Sequence, residues 1–422
     1  MNENFLSFIW KFQLYQSNSL LFDGEKMEVI HPGELNCDSG PDFFNAKIKV
    51  GDTIWVGNVE VHLKASDWYR HGHDKGPAFD NVILHITGQN DQAVYTSKGR
   101  LVPTLELLFD KTYLVNYNEL MVKQKWIPCA ERIASIDPII ISSWFSKIGV
   151  ERLESRTLHI LDNLSNTVND WDEAFYRQLA RSYGFHVNSQ PFEALANATP
   201  YKILKKYSDN LLRLEALLFG QAGLLCDDYS NDDYYVKLKT EYEFLHSKYH
   251  LQSVEPHVWK FMRLRPGNFP SIRIAQFAAL IHQTPSLFSV ILDAEHLSLL
   301  LEIFTYDVSE YWRTHYTFGN VSHPVRKSMG LESAKIIIIN TIVPFYFIYG
   351  KKLGLTKYQD KAMQFLEQIE AEDNSLITQW RNLGIKPQNA FDTQALLQLK
   401  SEYCDKKRCL DCGIGAKIII TK

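Results

Sequence analysis

The chain has 422 residues, 45% of them hydrophobic and 22% charged, with a formal net charge of −4 at pH 7. That length holds two or three domains of ordinary globular composition, and the weakly acidic balance excludes a protein that coats nucleic acid through bulk positive charge. Six cysteines, three of them crowded near the C-terminus, are not the framework of a small secreted disulfide fold.

Met1-Asn2-Glu3-Asn4 lacks the basic start of a secretory leader, and Ser7, Lys11 and Gln13 interrupt the apolar positions that follow. The longest apolar stretch, 336–349, contains Asn340, Thr341 and Pro344. It reads as a buried core helix rather than a membrane span. A cytoplasmic protein without a membrane partner is the expectation; the sequence leaves the oligomeric state open.

Residues 5–15 predict an amphipathic or buried helix. Residues 20–31 predict a hairpin turning at Asp23-Gly24. Strands follow over 46–50 and 53–63, joined by Gly51-Asp52. Side chains alternate along a strand, so Glu60 and His62 share one face of the second. Ser66-Asp67 can cap a short helix, and 81–87 is an apolar strand with His85 inside, read as a hydrogen-bonded core residue. A further hairpin over 93–108 turns at Lys98-Gly99.

Near residue 110 the pattern changes to helical spacing. Helices are predicted over 110–120, 137–164, 170–183 (closed by Gly184 at the C′ position), 192–198, 201–219, 240–249, 272–282, 286–292, 294–305 and 358–366. The expected class is α+β. A β-rich domain (1–110) carries a candidate metal site, a helical domain spans 111–400, and a cysteine-containing tail spans 401–422. Arg263, Arg265 and Arg273 flank a Pro/Gly turn that opens a helix; they could hold a phosphate or carboxylate, and the favoured reading is a solvated face paired with local acids. Residues 311–330, rich in aromatic and basic groups, are a candidate surface for nucleic acid, or else a packed irregular loop.

Chemistry-bearing groups crowd residues 33–88. Pro41-Asp42 before a hairpin and Glu60-Val61-His62 near the end of its second strand resemble the core of the PD-(D/E)xK nuclease superfamily. That resemblance implies that Asp42 and Glu60 bind a divalent cation such as Mg²⁺ or Mn²⁺. His62 then stands where the family has lysine, as base or orienter, with Glu34 or Asp67 as accessory groups. A second reading makes His62, His71 and His73 zinc ligands with Glu60 or Asp67; a third leaves His71 and His73 facing water in a polar loop.

At the other end, Cys404, Cys409 and Cys412 form C-x4-C-x2-C. Thiolates at such spacing wrap a soft metal, zinc or an iron–sulfur cluster. Cys129, stiffened by Pro128, is the candidate fourth ligand; the alternative is that these are reduced thiols packing a small C-terminal turn. Cys226 reads as a core residue. Over nearly its whole length the chain resembles an uncharacterised bacterial family, domain of unknown function 2851, through SGPDFFNAKI, WVGNVEVHLKASDWYRHGHD, RPGNFPSIRIAQ and YCDKKRCLDCGIG. The family name implies no activity.

Three functions remain open at this stage. The first is a metal-dependent phosphodiesterase or nuclease-like hydrolase, with Asp42, Glu60 and His62 catalytic and Asp42, Glu60, His71 and His73 around the metal, meeting nucleic acid through a local basic surface. The second is a non-catalytic scaffold with a structural zinc tail. The third is a histidine-based zinc hydrolase of a small molecule.

Overall fold

A computed structural model describes residues 1–16, 21–22, 25–122, 124–227 and 229–421. The Asp23-Gly24 turn lies outside the described residues. The chain divides into two compact units. The first comprises 1–146, 379–385 and 397–422; the second comprises 147–378 and 386–396. This contact-based division is a different partition from the compositional break at 110, because the C-terminal stretch packs into the unit that contains the sheet.

The first unit is built on a seven-stranded sheet. Helix α1 (Glu3–Lys11) buries Phe5, Leu6, Phe8, Ile9 and Trp10 and packs against the sheet. The strands are β1 (Leu21–Phe22), β2 (Glu25–His31), β3 (Glu34–Leu35), β4 (Phe43–Val50), β5 (Thr53–Lys64), β6 (Val82–Gln89) and, after the small β7–β8 hairpin (Val94–Tyr95 with Leu101–Val102), β9 (Thr104–Glu106). Their order is β1-β2-β4-β5-β6-β9, with β3 also paired to β4. The strands up to β5 pair antiparallel, and β5–β6 and β6–β9 pair parallel.

Two features of this sheet position the site. Parallel pairing of β5 and β6 requires a crossover. Residues 65–81 supply it, with helix α2 (Asp67–Arg70) at its start. Ser66, expected to cap α2, makes no capping bond; its hydroxyl donates to Asp91 Oδ2 at 2.9 Å instead. Trp68 anchors the crossover. It is fully buried against Ala65, Val82, Val94 and Val102, and its indole N–H donates to Tyr95 O at 3.0 Å. Trp68→Ala is therefore expected to cost about 3–5 kcal/mol, measured by urea denaturation.

The second feature is a bulge in β4. The pairs run Val50↔Thr53 to Ala46↔Gly57, then slip to Phe43↔Val59. One extra residue on β4 faces β5 there, and Asn45 takes the left-handed conformation (φ 57°) that accommodates it.

The second unit is helical around one large core. Most of the predicted helices are present with shifted bounds, but the one expected over 201–219 is two, Tyr201–Lys205 and Leu211–Gln221. Asp170 caps Trp171–Tyr183, accepting from Glu173 N–H at 3.0 Å. Gly184 does not take the expected left-handed turn. Phe185 does (φ 48°), and Gly184 is needed because a Cβ there would meet Asn188 O at 2.2 Å. Helical structure runs continuously over 331–353. It is long and apolar enough to span a membrane, yet 67% of its most apolar window is buried inside the protein. It passes through a π-helical turn at Ile338–Ile342. Pro344 follows, and its missing N–H removes an ordinary helix bond there.

Two expectations change in this unit, those for Arg273 and Cys226. Arg273 is buried, with Nη1 donating to Gln276 and Nη2 to Asn268, neutral amides rather than acids, and its guanidinium stacks over Phe185. The 311–330 stretch is mixed: Trp312 is fully buried and the Lys327 ammonium donates to three backbone carbonyls, while Val321, Val325 and Arg326 are exposed. Cys226, expected in the core, is exposed.

Candidate metal centre

The face of β5 bearing Glu60 and His62 is covered by the crossover, and both residues are buried. The bulge decides what meets them. Extended one residue beyond Phe43↔Val59, the register sets Asp42 opposite Glu60, and opposed residues on antiparallel strands share a face. Asp42 N–H donates to Glu60 Oε2 at 3.1 Å, and Val61 N–H donates to Asp42 Oδ2 at 2.9 Å. Burial, and then the Glu60 charge, push the Asp42 carboxyl up to about 7.

The crossover brings three more rings. His62 Nε2 lies 3.1 Å from His71 Nδ1 and 3.7 Å from Glu60 Oε1, and His73 Nε2 lies 3.0 Å from the same Glu60 oxygen. One nitrogen from each of His62, His71 and His73 falls within 4.8 Å of the other two. Gly72 sits between the last two histidines at φ 75°, a conformation that costs a residue with a Cβ about 1–2 kcal/mol. It is what turns His73 inward while His71 stays at the surface. The His73 ring stacks on Phe79 with centroids 3.7 Å apart, fixing its plane.

Behind this group stands His85, fully buried on β6 and paired in register with Glu60. Its Nε2 lies 2.8 Å from His62 Nδ1. A neutral imidazole has one donor and one acceptor nitrogen. With His62 Nδ1–H donating to His85, the His62 lone pair sits on Nε2 and faces His71 and Glu60. Burial and the neighbouring rings hold both buried histidines far below the ordinary range, His62 near 2 and His85 near 3. They are therefore neutral, the state in which imidazole binds metal.

Asp42, Glu60, His62, His71 and His73, drawn from three separate stretches, thus converge. Two accessory candidates have other roles. Asp67 Oδ2 accepts from Lys64 N–H at 3.2 Å and its Oδ1 pairs with Arg70, while Glu34 is exposed on β3. Its apolar neighbours predict His85 only as a core residue, and nothing in its own stretch names His62 as its partner. A second group went unread: Lys11, Lys406, Lys407 and Arg408 line a cavity of about 370 Å³ together with Asp42 and Asp411.

A family model described as "Protein of unknown function (DUF2851)" matches residues 3–375. No curated protein and no solved structure matches the chain.

Proposed function

The chain belongs to the DUF2851 family, whose description assigns no activity, and we propose from the site's geometry that the protein is a metal-dependent hydrolase of phosphodiesters, with nucleic acid as the substrate class. One observation carries this reading: three imidazole nitrogens lie within 4.8 Å of one another, with Glu60 Oε1 3.0 Å from one of them. Three imidazoles and a carboxylate suit Zn²⁺ or Mn²⁺ better than Mg²⁺, which prefers oxygen ligands throughout. Such an ion supplies Lewis acidity and lowers the pKa of a bound water.

The protein's own groups divide the remaining work. His62, His71 and His73 would hold the ion with Glu60 as the adjoining carboxylate, and His85 would keep His62 in the tautomer that presents Nε2. Asp42, beside Glu60 and on the cavity wall, takes the proton of the attacking water. Lys11, Lys406, Lys407 and Arg408 outnumber the acids Asp42 and Asp411 on that cavity, although Arg408 is paired with Asp411 and Lys406 with Glu402, and this excess favours an anionic substrate. The convergence of Asp42 with Glu60 supports the nuclease-like element of the reading; the histidines modify its metal chemistry.

The test uses protein stripped by a chelator and reloaded with Zn²⁺, Mn²⁺ or Mg²⁺, incubated with single-stranded and duplex DNA, RNA and bis-p-nitrophenyl phosphate. Metal-dependent cleavage of a nucleic acid is expected. Cleavage of the small ester alone moves the reading to a small-molecule hydrolase. No cleavage of any substrate with any ion removes it in favour of a non-catalytic role. His85→Leu is expected to weaken ion affinity about 10–100-fold, because the group that orients a ligand histidine is lost. Competition against a chromophoric chelator reads this directly, and unchanged affinity would deny His85 its orienting part.

A further inference from the structure

The helical unit contains a cavity of about 250 Å³. Its inner wall is apolar, with the fully buried Tyr183 and Phe192 beside Phe185 and Leu264. The Tyr183 hydroxyl is already engaged with that of Tyr306 at 2.8 Å. Two exposed lining residues, Asn268 and Ile336, mark the opening. Among the described residues that line the cavity, Arg273 alone is charged.

That charge is placed at a cost. Arg273 is only 6% exposed, and burying a cation is unfavourable unless an anion answers it. Its Nη1 donates to Gln276 Oε1 at 2.9 Å and its Nη2 to Asn268 Oδ1 at 2.6 Å. Both acceptors are neutral amides, so neither cancels the charge. The Nε is buried and has no hydrogen-bond partner, although a guanidinium carries donors on all three nitrogens. Arg273 also stands in the first turn of the helix Pro270–Gln283, whose first residue is on the cavity wall. A helix N-terminus favours negative charge and disfavours a cation. Burial and the helix dipole therefore oppose the same side chain, and one bound anion would relieve both.

The neighbours hold the guanidinium ready for such a partner. Phe185 takes a left-handed φ of 48°, unfavourable for a residue with a Cβ. Its ring lies over the guanidinium, 4.4 Å from the ring centroid to the carbon. This contact covers a face of the cation and leaves its in-plane N–H edge for acceptors. Asn268 fixes one end of that edge from the cavity wall. Arg263 and Arg265, exposed on either side of Leu264 in the chain, add positive potential beside the same wall.

We propose that this cavity binds a small organic monocarboxylate. The carboxylate accepts from the Arg273 N–H groups that Gln276 and Asn268 leave over, and the apolar body lies against Tyr183, Phe185 and Phe192. A carboxylate matches the planar guanidinium edge, and its single charge matches the single cation. Phosphate fits less well, because its further oxygens would face apolar wall without donors. The volume equals roughly eight water molecules at ~30 Å³ each, which sets the ligand near the size of hexanoate or benzoate. The proposal does not rest on the hydrolase reading, since the cavity belongs to the helical unit alone.

The test is isothermal titration calorimetry of the full-length protein with hexanoate and benzoate, with their uncharged counterparts hexanol and benzamide, and with inorganic phosphate. At least one carboxylate is expected to bind once per chain with Kd below about 1 mM, and its uncharged counterpart at least about tenfold more weakly. Arg273→Gln should weaken the carboxylate by at least about tenfold, the scale of a lost hydrogen bond to a charged group. Ile336→Trp narrows the opening while keeping Arg273, so it should weaken binding even if Arg273→Gln fails to fold. Lys352→Gln, at an exposed position of the same unit outside the cavity lining, should leave affinity unchanged. No heat from either carboxylate at ~10 mM, tenfold above that limit, overturns the proposal. So do equal affinity for the uncharged counterparts, tighter binding of phosphate, or full affinity in a folded Arg273→Gln.

Discussion

His71→Ala empties the N-terminal ion site and lowers metal-dependent cleavage by about a thousandfold, the scale on which loss of one preorganised electrostatic group acts, while the fold stays intact. The side chain is exposed, and its nearest polar neighbour is the His62 ring at 3.1 Å. Its removal should shift unfolding free energy by no more than about 0.5 kcal/mol, the usual range for surface positions. This separates it from His62→Ala, which would open a hole at a residue only 1% exposed and confound ligation with stability. Glu60→Gln is the matching test at the carboxylate. It preserves volume and the acceptor for Asp42 N–H but removes the charge, so ion binding and cleavage should fall together. Mass spectrometry under native conditions counts the ion, and a cleavage assay reads the rate. Full cleavage by His71→Ala would sink the histidine-centred site.

Glu215→Gln makes the protein more stable at alkaline pH, by up to about 3 kcal/mol at pH 9, and leaves it nearly unchanged at pH 4. Glu215 is fully buried in the second unit, and its carboxylate accepts from the Tyr234 hydroxyl. Burial raises it from 4.5 to about 7, with the hydrogen bond from Tyr234 partly opposing the shift. An acid raised in the folded state favours folding in its protonated form. Its contribution is fully present below pH 4.5, is lost as pH rises toward 7, and stays lost above that. Roughly 2.5 pKa units at 1.36 kcal/mol each set the ceiling. Glutamine cannot ionise and can still accept from Tyr234. Urea denaturation of both proteins from pH 4 to pH 9 measures the difference, and parallel stability curves would contradict the assignment.

Local pattern carried the elements well. The strand over 53–63 and the Gly51-Asp52 turn are short-range features, and each lies where the sequence puts it. Misplacements came where a contact from elsewhere set the backbone. Gly184 is governed by the approach of Asn188, and Ser66 is drawn to Asp91 rather than to its own helix. The charge pattern around Arg273 predicts acidic partners, yet the neighbours that receive it are amides and the Phe185 ring.

The amino-acid sequence alone determined the order of strands before helices, the two groups of metal-binding residue types, and the shared strand face of Glu60 and His62. These depend on periodicity and spacing over a few residues. Tertiary structure decided which of those groups meet. The extra residue in β4 turns Asp42 toward Glu60, where an unbroken register would have paired it with Val61. The parallel placement of β6 sets His85 beside Glu60 and carries His71 and His73 back over His62. Bulges and parallel crossovers are chosen by the packing of a whole sheet, so no short stretch of sequence contains the choice.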